Sequence, residues 1–183
     1  DGHWLQGRLY ARQAPGSTEQ GALLYFHGGG YVVGSLDSHD GVCREFCQRT
    51  PCAVLSVGYR LAPEHRFPTA LEDGEDALSW LAENAVSLGL DTSRVAFGGD
   101  SAGATLATVL AIQAVVQPHT VAIAPKAQLL CYPVTDASRV HVVRADVAGV
   151  LYARVGHRYL VAGAEVGKIA GAHAFRTGDL LGA

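Results

Sequence analysis

The sequence predicts an α/β fold, a mostly parallel sheet with flanking helices, and three observations predict it. Over the first 135 residues, short apolar runs alternate with longer stretches of helical period. Two of those runs, Ala22–Phe26 and Arg94–Gly98, end abruptly in glycine-rich turns, the kind of junction at which a strand gives way to a functional loop. Hydrophobic residues take 49% of the 183 positions against 17% for charged ones, which suffices for one domain with a sizeable core.

The elements follow in order. Leu5–Ala11 reads as a strand, Gln13–Gln20 as a polar turn and Ala22–Phe26 as a second strand that stops at Gly28-Gly29-Gly30. Ser38–Arg49 has Val42, Cys43 and Phe46 at helical spacing, and Pro51 ends that helix. Ala53–Val57 is a buried strand. Residues 59–68 form an irregular loop held by Pro63 and Pro68, after which Thr69–Ser87 is a helix with Leu71, Ala77, Leu78 and Leu81 inward. Asp91-Thr92-Ser93 turns the chain, Arg94–Gly98 is a strand, and Gly99–Gly103 is a tight turn. Ala104–Val116 is a nearly all-apolar helix expected to be buried on most sides, and Lys126–Tyr132 is the last clear strand.

Residues 1–136 are therefore read as one core. The 47 residues from 137 onward have no Pro, Asn or Trp, and 25 of them are Ala, Val or Gly, so periodicity weakens. There, Val147–Leu160 reads as a helix, as a stretch without regular order, or as the product of an altered reading frame. A sheet that stops at residues 126–132 leaves an edge and apolar surface uncovered, from which self-association is expected.

Composition excludes several classes of function. A net charge of −3 provides no basic stripe to neutralise phosphates, so nucleic acid is not an expected partner and a small molecule is. The longest apolar stretch, about Ala102–Val116, is too short for a hydrocarbon layer of roughly 30 Å, so no transmembrane segment is expected. The first residues lack the pattern of a secretory signal, and with no Met in the chain the start is expected to lie inside a longer one. Cys43, Cys47, Cys52 and Cys131 form neither CxxC pairs nor a disulfide framework, which favours a reducing, cytoplasmic compartment. Cys43 and Cys47 share a helix face, but no second ligand pair stands near them in the sequence to complete a tetrahedral site, and no metal is expected.

Chemistry concentrates at the two strand ends. Gly99-Asp100-Ser101-Ala102-Gly103 is a G-x-S-x-G between a strand and a helix, where a sharp turn exposes a nucleophilic hydroxyl, Ser101. A Cβ at either glycine would crowd that turn. The pentapeptide by itself is weak, and the apolar strand running into it and the helix running out of it give it specificity. His27-Gly28-Gly29-Gly30 ends the other strand, and its bare backbone lets N–H groups converge on a substrate oxygen. Neither G-x-G-x-x-G nor a P-loop fits the glycines, so no nucleotide cofactor is expected.

Taken together, His27-Gly28-Gly29-Gly30, Tyr59-Arg60-Leu61-Ala62-Pro63-Glu64-His65 and Gly99-Asp100-Ser101-Ala102-Gly103 resemble the hormone-sensitive-lipase family of esterases, from about Leu5 to Asp136. The resemblance implies an α/β-hydrolase fold and hydrolysis of carboxylic esters, usually short-acyl, without cofactor or metal. It implies Ser101 as nucleophile, Gly29, Gly30 and Ala102 as oxyanion donors, and Gly28 as their neighbour. His27 would orient the loop rather than act as base, since it precedes the nucleophile where α/β-hydrolases run Ser, acid, His. Asp100 and Glu64 would be supports near the site, or else solvated or capping carboxylates.

The chain departs from the family after Asp136, where the expected D-P-L-x-D and H-G-F motifs do not occur. Asp146 followed by His173, in His173-Ala174-Phe175, keeps the order of acid then base, as does Asp146 with His157. Asp136 and Asp179 are weaker candidates for the acid. Two other readings follow from the same residues: a non-catalytic small-molecule binding protein on the same scaffold, lacking a working base, and an amidase or peptidase.

Overall fold

The computed structural model describes residues 4–12 and 20–134, together with the backbone of three further strands at 140–144, 151–155 and 158–162. Most of the polar turn read over Gln13–Gln20 lies outside these residues. Among the described residues, the elements run in the order β1 (Gln6–Tyr10), β2 (Gln20–Phe26), α1 (Asp40–Arg49), β3 (Ala53–Gly58), α2 (Thr69–Leu88), β4 (Leu90–Asp100), α3 (Ala102–Val116), β5 (Ala127–Cys131), β6 (Val140–Arg144), β7 (Leu151–Val155) and β8 (Arg158–Ala162).

β1 to β5 form one sheet in the order β1-β3-β2-β4-β5, with β1 antiparallel to β3 and every other pair parallel. Alternation along β2 shows how the layers are made. Leu24 and Phe26 point into a core with Leu78 and Leu81 of α2 and Leu106 and Leu110 of α3, while Leu23 and Tyr25 point the other way onto Cys43 and Cys47 of α1. A strand buried on both faces reads as a continuous apolar run, as this one does. Leu24 is completely buried, and Leu24→Ala is expected to lower the unfolding free energy by about 2–5 kcal/mol in urea titration.

The chain passes from β2 to β3 on one side and returns over β2 to β4 on the other, so the carboxyl ends of β2 and β4 lie side by side. Phe26 is paired with Gly99, which brings the residues that follow each strand to the same rim. Ligands in open parallel sheets bind at such a reversal of strand order.

The structure corrects the sequence reading in three places. Asp91-Thr92-Ser93 belongs to β4 rather than to a separate turn. Its turn chemistry survives as an irregularity: the Ser93 N–H donates to Asp91 Oδ1, and the pairing jumps from Gln20–Leu90 to Ala22–Val95. α3 buries Leu106, Ala107, Leu110, Ala111 and Ala114, but Val109, Ile112, Val115 and Val116 are exposed, because the sheet and α2 cover only one face. The span Val147–Leu160 is not helical where it is described. β7 and β8 pair antiparallel, Tyr152 opposite Val161 and Arg154 opposite Tyr159, and their β-branched and aromatic residues favour extended backbone.

Candidate active site

The turn between β4 and α3 is concentrated at one residue. The strand runs to Asp100 and the helix begins at Ala102, leaving Ser101 at φ 51°, ψ −118°, a conformation that L-residues adopt only when their surroundings hold them there. The Ser101 N–H donates to the Cys131 carbonyl at the end of β5, 2.9 Å away, and the Ser101 carbonyl accepts from the Thr105 N–H of α3 at 3.0 Å. Two glycines make this turn sterically feasible: a Cβ on Gly103 would overlap the Phe26 and His27 carbonyl oxygens, and one on Gly99 would overlap Phe26 O. Strand β2 thus touches the turn directly.

Across the rim, three consecutive residues take positive φ: Gly29 at 120°, Gly30 at 61° and Tyr31 at 67°. The Gly29 carbonyl accepts from the N–H groups of Val32 and Val33 at 3.1 and 3.0 Å, curling the loop back on itself. A Cβ on Gly29 would overlap Val33 O, so glycine is required there for both space and dihedral. The N–H groups of Gly29, Gly30 and Ala102 donate to no backbone carbonyl among the described residues. Ala102 also opens α3, whose positive end faces the same rim.

His27, behind the loop, is buried. Its Nδ1 lies 2.8 Å from the Gly28 carbonyl, which can only accept, so the proton is on Nδ1. The ring stacks on Tyr59 at 4.3 Å, and the Tyr59 hydroxyl donates to the His27 carbonyl at 2.6 Å. Burial pulls the His27 pKa below the ordinary imidazole value, against the Gly28 carbonyl, which pulls it up. A depressed folded pKa means that the unfolded chain binds this proton more readily. The stability tied to neutral His27 is therefore full above about pH 6.5 and lost as pH falls through the folded pKa. Thermal melts from pH 8 to 5 are expected to show this acid-side slope, and His27→Gln should flatten it.

Asp100 joins the two halves. Its carboxylate accepts from the Tyr25 hydroxyl at 2.8 Å, from the Gly28 N–H at 3.0 Å, and at 3.4 Å from the Tyr132 hydroxyl. His39 Nε2 lies 3.3 Å from Oδ1. Burial raises the Asp100 pKa, but the hydrogen bonds from His39 and Tyr25 outweigh it and bring it below the ordinary carboxylate value. Asp100 is thus a bonded support rather than a solvated carboxylate. Glu64, by contrast, is exposed and has no bond to the loop among the described residues.

Sequence reading missed several supports. The Arg60 guanidinium clasps the buried Asp73 carboxylate of α2 at 2.6 Å, and the Ala62 N–H donates to the Tyr31 carbonyl at 2.8 Å, so the 60–68 segment buttresses the glycine loop. Tyr59, Arg60 and Ala62 stand inside a recognised motif, but nothing in local spacing pairs them with Asp73 or Tyr31. No group of His, Cys, Asp or Glu suited to a metal occurs among the described residues, and Cys43 and Cys47 are buried, free thiols. Asp146 and His173 lie outside the described residues, as do His157, Asp136 and Asp179.

A profile described as alpha/beta hydrolase fold matches residues 23–155, well over half of the chain. The chain belongs to the α/β-hydrolase fold family. Within it, this α/β hydrolase is a member of the hormone-sensitive-lipase group. It is 53% identical over 139 residues to the ethyl acetate hydrolase of Pseudomonas putida, a match covering 75% of this chain and 43% of that protein. Among solved structures, it is similar to a hyperthermophilic esterase from the archaeon Pyrobaculum calidifontis, with TM-score 0.66 and 42% identity over 73% of this chain and 41% of the other. It is also similar to EstE1, a thermostable carboxylesterase cloned from a metagenomic library, with TM-score 0.67 and 43% identity over 74% of this chain and 44% of that one. The α/β hydrolase described here thus spans under half the length of these relatives. No helix among its described residues is long and apolar enough to cross a membrane.

Proposed function

We infer that this chain carries the nucleophile and oxyanion loop of a carboxylic ester hydrolase that acts on short-acyl esters through an acyl-enzyme. The observation that carries the reading is the placement of Ser101 at a positive φ beside three N–H groups, of Gly29, Gly30 and Ala102, that no backbone carbonyl uses among the described residues. Donors that await negative charge, instead of being spent on the fold, stabilise a transition state more than a ground state.

In the proposed sequence, Ser101 Oγ attacks the ester carbonyl carbon while a base takes its proton, and the carbonyl electrons move onto an oxygen held by the three N–H groups. Collapse of that intermediate breaks the C–O bond, and the alcohol leaves with the proton. Water, deprotonated by the same base, then attacks the acyl-enzyme and releases the carboxylic acid and Ser101. We assign the base to His173 and the acid to Asp146. His27 is unsuited to the base role, since it is buried and its ring is stacked on Tyr59 behind the loop.

Release of an alcohol rather than an amine distinguishes an esterase from an amidase. The free thiols Cys43 and Cys47 fit a reducing, cytoplasmic setting. The exposed Val109, Ile112, Val115 and Val116 of α3 fit self-association. The test is incubation with a p-nitrophenyl phosphonate followed by peptide mass mapping. One phosphonyl group per chain on the Ser101 peptide, together with hydrolysis of p-nitrophenyl acetate and butyrate, is the expected result. A folded sample that neither labels nor hydrolyses points instead to a non-catalytic binding protein and overturns the reading.

A further inference from the structure

We propose that His39, at the head of α1, is a positioning residue for the oxyanion loop, acting through Asp100. The proposal rests on the ester-hydrolase reading above for its kinetic consequence and on geometry for the rest. His39 Nε2 stands 3.3 Å from Asp100 Oδ1 and 3.4 Å from Oδ2, and the same carboxylate holds the Gly28 N–H. Gly28 immediately precedes the donors Gly29 and Gly30, and Asp100 immediately precedes Ser101. One carboxylate therefore sets the spacing between nucleophile and donors, and His39 Nε2 approaches both of its oxygens, Oδ1 being the one that the Tyr25 hydroxyl also bonds.

The proton inventory fixes how His39 does this. A carboxylate only accepts, so Nε2 must carry a proton in either charge state of the ring. Nδ1 lies 2.9 Å from Ser38 Oγ, and Ser38 Oγ is also 3.0 Å from the Ser35 carbonyl and accepts from the Ser35 N–H at 2.8 Å. A neutral His39 accepts from the Ser38 hydroxyl at Nδ1, and a charged one donates to it while that hydroxyl turns to Ser35 O. The relay Ser35–Ser38–His39–Asp100–Gly28 thus keeps the bond to Asp100 in both states. The groups facing the ring are Asp100, Tyr25 and His27, the two ring centroids lying 6.5 and 5.5 Å away.

The test compares His39→Ala and His39→Gln in the full chain, Gln placing a non-titrating N–H close to the Nε2 position. His39→Ala is expected to lower kcat about tenfold, less than the effect of deleting an oxyanion donor outright, with KM changed less than about twofold. His39→Gln should restore most of the loss. By NMR, the Gly28 amide resonance should move in the Ala variant and return in the Gln variant. A fall in melting temperature with no recovery by Gln would mark a purely structural role and overturn the proposal, as would an unmoved Gly28 resonance with unchanged kcat. If the unaltered chain hydrolyses no ester, the ester-hydrolase reading fails alone, and the Gly28 resonance by itself decides the role of His39.

Discussion

On the proposed ester-hydrolase reading, Ser101→Ala is expected to lower kcat by about 10⁴- to 10⁶-fold and to abolish phosphonate labelling, the scale set by deleting the nucleophile of a serine protease. The backbone makes the same position informative in a second way. Ser101 sits at φ 51°, in a region that costs a non-glycine residue about 1–3 kcal/mol. Ser101→Gly should therefore be as inactive as Ser101→Ala and yet melt at a higher temperature, since glycine enters this region without penalty. Calorimetry on the two variants reads the difference. A Gly variant no more stable than the Ala variant would mean that the turn is not held under strain.

Gly103→Ala is expected to be among the most damaging single methyls at the described glycines. The added Cβ would overlap two backbone carbonyl oxygens, those of Phe26 and His27. Neither can move without disturbing the β2–β4 pairing or the bond that the Tyr59 hydroxyl donates to His27 O at 2.6 Å. Overpacking of well-filled cores costs about 1–3 kcal/mol where side chains can give way. With rigid backbone on both sides, a loss of about 3–5 kcal/mol is expected by urea titration, within the exceptional tail for point mutations. Gly41→Ala serves as the control, because a Cβ there meets nothing within 4 Å.

Much of the fold was legible because β2, β3 and β4 are apolar strands each followed by a helix, with glycines at or near the carboxyl end of each. The boundaries of β3 and α2 fall within a residue of those read from periodicity. Ser101 and the glycine loop were legible for a different reason: glycine is demanded wherever a Cβ meets a carbonyl, so Gly29, Gly99 and Gly103 mark close approaches in the sequence itself. What stayed hidden depends on contacts distant in the chain. Asp100 was visible as a carboxylate, but not as the group that binds Tyr25, Gly28 and His39 at once, and Asp73 looked like one more polar residue on a helix. The exposed face of α3 misled for the converse reason, since an all-apolar stretch does not say which of its sides are covered.

The strand order has a consequence for how this site comes into being. β2 and β4 are immediate neighbours in the sheet, yet β3 and α2 lie between them in sequence, so the pairing of Phe26 with Gly99 closes a loop of more than seventy residues. Non-local pairings of this kind come at a high entropic cost and form slowly. Until that loop closes, Gly28 has no Asp100 to bind and Ser101 has no wall of carbonyls to hold its dihedral. A chain emerging from the ribosome with only β1–β3 in place therefore lacks the formed 99–103 turn, and in refolding that turn and the glycine loop are locked together with the central sheet rather than ahead of it.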